Sequence, residues 1–360
     1  MTHKERLLTA TNHEEPDRVP ICAWYTPEAE KTVLRHLGVE SNATETYKAA
    51  GGPLPILMDH DFLISWVGPC TGYYADPAEE YTDEWGIGWK WFKNAVGSSY
   101  TEMVKHPLAD LKDPSDLSLP DFTREDRYDG ARRLIAQYGN EYGIMGGCAC
   151  TLFELAWYLR GMEKVMMDLV TNKDFMNAYL DKLMKWIDEA GTRMVELGVD
   201  IIWIGDDFGM QDRMLISPKL FREFFKPRYG YLFQKWKGIN PQVRIAFHSD
   251  GNIEPIIPDF IDLGLDILNP VQPKSMDPAR LKRDYGQHLT FWGTVDIQEV
   301  MPFGTPEDVV REVKLRLRTV GKGGGLIISP AHNIQSEVPL ENILAFYQTA
   351  KTYGRYPIDA

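Results

Sequence analysis

The 360 residues are 44% hydrophobic and 25% charged, the balance of an ordinary globular protein, which excludes a disordered or collagen-like chain. With 39 basic and 52 acidic residues the formal net charge is -13, which argues against nucleic acid or an anionic membrane as the main partner. Four cysteines make no disulfide framework, no apolar run approaches the roughly 20 residues of a membrane helix, and the N-terminus is charged from residue 3 without a signal-peptide core, so a reducing cytoplasm is the expected compartment.

In chain order, the first strand candidates are Val19–Tyr25 and Leu54–Met58, short apolar runs bounded by Pro, Asp or Gly. Residues 71–125 break the rhythm. They are rich in Tyr, Trp, Asp and Pro, and the stretch near residues 81–104 reads as an inserted β-hairpin. Strands resume at Tyr142–Gly146 and Asp200–Gly205, separated by an amphipathic helix over Phe175–Leu197 whose apolar residues recur at helical spacing. Val243–Phe247, Asp266–Pro270, Leu289–Gly293 and Leu326–Ser329 complete the set, with Ser217 (before a proline) and Asp277 placed as helix N-caps. Strand–helix alternation predicts a parallel sheet, and about eight strands in this length favour closure. The expected fold is α/β, a single TIM-like (β/α)8 barrel domain over residues 1–360.

In such barrels chemistry gathers where strands end. The polar residues at the predicted ends are Asp59, His60 and Asp61; Cys148 and Cys150; Asp206 and Asp207; His248, Ser249 and Asp250; Gln272; Asp296; and His332, Asn333 and Gln335. His248-Ser249-Asp250-Gly251 is the sharpest of these. Residues two apart on an extended stretch point to the same side, so His248 and Asp250 can reach one metal or one substrate. Adding His332 from another strand gives three ligands, a set that suits a catalytic zinc with an open fourth position; a metal-free His–Asp hydrogen bond is the other reading. Asp206 and Asp207 are adjacent, so one is expected at the site and the other in the structure. Asp59, Asp61, Tyr25, Gln272 and Asn333 are the expected substrate contacts. Cys148-Ala149-Cys150 has the wrong spacing for a C-x-x-C motif, leaving a structural role or a metal role. Glu154 and Arg160 are expected to pair, and Trp157, Tyr158, Trp203 and Trp292 to serve mainly as core. Gly323-Gly324-Gly325 precedes a strand, so it fails the test for a phosphate loop.

Several stretches together resemble the uroporphyrinogen decarboxylase superfamily. They are Lys4–Leu8 with Asn12–Pro20, Asp83-Glu84-Trp85-Gly86, Gly205-Asp206-Asp207, Ile216-Ser217-Pro218 with Phe224–Pro227, His248–Gly251, Asp266–Pro273, and Ser329–Ile334 before Pro339-Leu340-Glu341-Asn342. The resemblance spans nearly the whole chain and implies a TIM-like barrel with one of two activities. The decarboxylases grip substrate carboxylates with an arginine-bearing loop after the first strand; here that loop, Cys22–Glu28, has no arginine. The other branch moves methyl groups between small compounds and corrinoid proteins. Its coenzyme M enzymes resemble a zinc site of His-x-Cys plus a distant Cys, at positions matching His248, Asp250 and His332, so both cysteines are replaced. The expectation from the resemblance is a methyltransferase taking an O- or N-methylated compound as donor, with zinc at those three residues, Asp206 or Asp207 orienting the donor, and the corrinoid on a separate partner protein. A porphyrinogen-type decarboxylase and a non-catalytic ligand-binding or corrinoid-partner-binding barrel are the alternatives.

Overall fold

The computed structural model describes residues 1–39, 52–94 and 99–359. Ten strands are present among them: β1 (Phe62–Trp66), β2 (Glu80–Thr82), β3 (Gly88–Lys93), β4 (Ser99–Lys105), β5 (Gly143–Ala149), β6 (Ile201–Gly205), β7 (Arg244–His248), β8 (Ile267–Val271), β9 (Thr290–Val295) and β10 (Leu326–Pro330). Seven of them form a parallel sheet in the order β1-β5-β6-β7-β8-β9-β10, and helices occupy the connections. Every residue of β5, β6, β8, β9 and β10 is buried. Their continuous apolar sequences follow from this, because a parallel sheet covered by helices has no wet face.

The gap between β10 and β1 is spanned by the segment expected as the first strand. Ile21 and Tyr25 make parallel bridges to Ile328 and Ile334, and Ile21 accepts a hydrogen bond from the Asp61 N–H at 3.0 Å. Val19–Tyr25 thus takes the eighth position of the ring through isolated bridges rather than a full ladder. The expected hairpin is a three-stranded antiparallel sheet, β2-β3-β4. Its connection at residues 95–98 lies outside the described residues.

One strand expectation is corrected. Leu54–Met58 does not form a strand; Pro53–Leu57 is a short helix with proline in its first turn, and the strand begins at Phe62. A short apolar run has no period of its own to separate the two states, and Pro53 is already shaped for a helix start. This shift matters for the site. It moves Asp59 and Asp61 from the end of a strand to its beginning, the opposite face of a parallel barrel.

That opposite face is closed by the first helix, His3–Thr11, with Thr2 and Glu5 forming a capping box. Ser217 and Asp277 cap their helices, accepting from the Leu220 and Ala279 N–H groups. The long helix runs from Lys173 to Leu197. No helix among the described residues is long and apolar enough to cross a membrane.

Candidate active site

Strand register assembles the site. β7 pairs with β6 so that His248 lies opposite Gly205, and with β8 so that His248 lies opposite Asn269. A Cβ on Gly205 would come within 2.6 Å of the His248 Cβ, so only glycine lets the two strands keep this pairing. Gly251 turns the chain after β7 with φ +77, and a Cβ there would meet the Met210 carbonyl at 2.5 Å. The loops after β6 and β7 therefore pack backbone to backbone. This contact sets Asp250 beside Asp207, whose Oδ1 accepts from the Asp250 N–H at 2.8 Å.

The orientation of His248 is fixed from behind. The Trp203 indole N–H donates to Asn269 Oδ1 at 3.2 Å, and an indole is only a donor, so the oxygen of that amide is identified. His248 Nδ1, at 2.8 Å from the same oxygen, must then carry the proton and donate it. The other ring nitrogen, Nε2, points forward, 3.8 Å from both Asp207 Oδ1 and Asp250 Oδ1. His332, just past β10, brings its Nε2 to 3.5 Å from Asp250 Oδ2. Candidate ligand atoms of His248, Asp250 and His332 all lie within 4.8 Å of one another. Gln272 stands behind Asp250. Its Nε2 donates to Asp250 Oδ1 at 2.9 Å, and its Oε1 accepts from the Gly251 N–H at 2.8 Å.

A cavity of about 340 Å³ adjoins this cluster. His248, His332, Asn333, Asp207 and Glu154 line it, together with Tyr25 from the closing segment and the inward side of β1 at Phe62, Ile64 and Trp66. Among the described lining residues there is no lysine or arginine. Tyr25 donates to or accepts from Tyr347 at 2.6 Å, and Tyr347 in turn meets His60 Nε2 at 2.7 Å. Burial lowers the His60 pKa to about 3. His60 is therefore a neutral hydrogen-bonding group of the cavity wall.

Besides Asp250 of the cluster, four expected site residues do not line the cavity: Gln272, which supports Asp250 instead, and Asp61, Asp59 and Asp206. Asp61 is fully buried at the start of β1, accepting from Arg6 at 2.6 Å, Arg18 at 2.7 Å and the Ile21 N–H at 2.6 Å. Asp59 joins the same network through Arg18 at 3.2 Å and Lys351 at 3.3 Å. Neither contributes to the cavity wall. Asp206 turns away from the cavity. Its carboxylate accepts from the Leu152 and Glu154 N–H groups at the start of helix Phe153–Arg160 and from the Tyr229 hydroxyl. Burial pushes its pKa up to about 7 against the lowering effect of these donors. Asp206 ties the loop after β5 to β6, and the adjacent Asp207 lines the cavity.

The expected Glu154–Arg160 pair does not form. Arg160 instead binds Asp168 at 2.8 Å and the Leu111 carbonyl at 2.9 Å. Glu154 faces the cavity and accepts from the Tyr158 hydroxyl at 2.9 Å; Tyr158 also bonds Tyr73. Burial, then the carboxylates of Asp207 and Asp206, push the Glu154 carboxyl well above its usual range. Of the expected core aromatics, Trp203 lines the cavity while Trp292 is buried against Trp24. All four cysteines are free, and burial raises the Cys148 and Cys150 thiols, so neither is a ready thiolate ligand.

Residues 94–353 match the family described as uroporphyrinogen decarboxylase (URO-D). The chain is 24% identical over 202 residues to a methylated-thiol–coenzyme M methyltransferase of Methanosarcina mazei, a stretch covering 55% of this chain and 50% of that protein. It thus spans about half the length of that relative. It is 24% identical over 271 residues to a uroporphyrinogen decarboxylase of Legionella pneumophila, 72% of each chain. In three dimensions it is similar to a methyltransferase from Methanosarcina mazei, with a TM-score of 0.72 at 21% identity over 98% of both chains, which shows a common fold. With the family match covering well over half of its length, this chain belongs to the uroporphyrinogen decarboxylase family.

Proposed function

We propose that the protein is a methyltransferase that moves a methyl group from a small O- or N-methylated compound to a corrinoid carried by a separate protein. The observation that carries this reading is the convergence of His248, Asp250 and His332 beside an aromatic-walled cavity whose described lining carries no lysine or arginine. A porphyrinogen with many carboxylates needs buried cationic donors, because an unpaired buried carboxylate is very costly. The described lining of this cavity offers none. The methyltransferase among the curated relatives supports the same choice.

The three residues fit a zinc ion. His248 presents Nε2 with its other nitrogen hydrogen-bonded from behind, the usual arrangement for a ligating histidine, and Gln272 steadies Asp250. Bound there, zinc would supply a Lewis acid at the leaving oxygen of an ether or at the lone pair of an uncharged methylamine. The chain's own residues do the rest. Asn269 and Trp203 hold the His248 ring, Gln272 holds Asp250, and Asp207 presents a carboxylate to the donor from the adjoining wall.

The test is a corrinoid absorbance assay with a panel of methyl ethers and methylamines. Methylation of cobalt(I) from at least one donor is the expected result. No methylation from any of them, or coproporphyrinogen formation from uroporphyrinogen at an efficient enzyme's rate, overturns the reading. Gln272→Ala should weaken zinc binding about 10–100-fold, since it removes the side chain that hydrogen-bonds the Asp250 carboxylate from behind. Competition against a chromogenic chelator measures this; unchanged affinity would show that Asp250 does not hold the metal.

A further inference from the structure

The cavity wall holds three indoles in an unusual relation. Trp24 and Trp203 meet at 5.1 Å between ring centroids with an 81° angle, Trp66 and Trp203 at 5.2 Å with 84°, and Trp24 and Trp66 at 5.9 Å with 69°. Three nearly perpendicular planes form the corner of a box, and all three rings line the cavity. Tyr73 and Tyr74 add two further rings to its lining. The Trp24 indole N–H is buried without a hydrogen-bond partner among the described residues. Glu154 and Asp207 lie in the same wall, beyond the three residues of the metal cluster.

Each ligand class uses these features differently. An anion meets carboxylates and the negative faces of aromatic rings, and is repelled by both. A neutral aryl ether uses the rings but leaves the carboxyl groups of the lining facing an apolar ligand, at a desolvation cost. A methylated ammonium cation uses both: its methyl groups carry the spread positive charge that aromatic faces attract, and the carboxylates balance it.

We propose that this cavity binds a quaternary methylammonium cation, boxed by Trp24, Trp66 and Trp203 and countercharged by Glu154 and Asp207. Burial and neighbouring carboxylates disfavour ionised Glu154, and an arriving cation acts in the opposite direction. Resting on the methyl-transfer reading above, the cation is the methyl donor. The C–N bond breaks, nitrogen keeps its electron pair and leaves as a neutral tertiary amine, and the methyl carbon bonds to the cobalt(I) of the partner's corrinoid, which supplies both electrons of the new bond. No proton is consumed.

Calorimetric titration of the full chain, without any methyl acceptor, tests the site. The probes are choline and 3,3-dimethylbutanol, its uncharged isostere with carbon in place of nitrogen. Choline should bind at least about tenfold more tightly. Trp66→Leu and Glu154→Gln should each cut that ratio to about threefold or less, with circular dichroism confirming the fold. Equal binding of the isostere, absence of choline binding, or a ratio unchanged in both folded variants overturns the proposal. The two readings fail separately. A choline preference without methyl transfer from any methylammonium compound leaves the cation site and removes the donor role. Methyl transfer from ethers without a choline preference removes the cation site alone.

Discussion

With a methyl ether as donor, alanine at His332 is expected to lower methyl transfer to cobalt(I) by about a thousandfold or more, about 4 kcal/mol of transition-state stabilisation, because one of the three proposed metal-holding groups is lost. Alanine at His248 should do the same. The two variants differ in what they do to the fold. His332 is partly exposed and its ion-pair partner among the described residues is the site's own Asp250, so its removal should change unfolding free energy by no more than about 0.5 kcal/mol. His248 is buried and donates to Asn269, so its removal takes a donor from a buried amide oxygen and should cost about 1–3 kcal/mol. Rates from the corrinoid assay, set against urea unfolding, separate the effects. Equal loss of rate with unequal loss of stability means that the chemistry and not the fold has failed. Full rates in both variants would remove the cluster from the mechanism.

The route from sequence to this site was uneven. His248 and Asp250 were legible because a β-branched and aromatic run ends at a His-x-Asp-Gly, where period-two geometry puts both side chains on one side. His332 followed from the same logic at β10. Glu154 was not legible in this way. It sits in the first turn of a helix, past the strand end, and only the path of the loop after β5 turns it toward the cavity. A usable signal was present nonetheless: Tyr158 lies four residues on, the spacing at which two side chains meet on one helical face. Asp206 and Asp207 illustrate a different limit. Sequence alone says that neighbours point apart, whereas which one turns inward depends on the free N–H groups of helix Phe153–Arg160, which draw Asp206 to them. The aromatic box was hidden for a third reason. Trp24, Trp66 and Trp203 come from three separate strands or segments, and nothing in their local sequence distinguishes a ring that fills a core from one that walls a cavity.

Asp61 carries the largest expected effect on stability. Read as the end of a strand, it looked like a substrate contact; at the beginning of β1 it is the hub of the closed face, binding Arg6, Arg18, His3 and the Ile21 N–H that helps seal the ring between β10 and β1. Asp61→Asn leaves two guanidinium groups in a buried network without their shared countercharge, and should destabilise the protein by about 3–5 kcal/mol. Burial alone would raise the Asp61 carboxyl, but His3, Arg18, Ile21 and Arg6 together hold it below the usual carboxylate range. Asp17, hydrogen-bonded to the same Arg6, is lowered to about 2. Groups with depressed pKa contribute stability that is complete above the unfolded value near about 4 and is lost as pH falls through the folded value. Wild-type stability should therefore drop as pH falls from about 4 to about 2, and the Asn variant, already missing the Asp61 part, should show a shallower drop. Urea unfolding at neutral and acid pH reads both effects. Because the network lies at the far end of the barrel from His248, the methyl donor's KM should not change in the protein that remains folded. A raised KM with unchanged unfolding free energy would return Asp61 to the substrate.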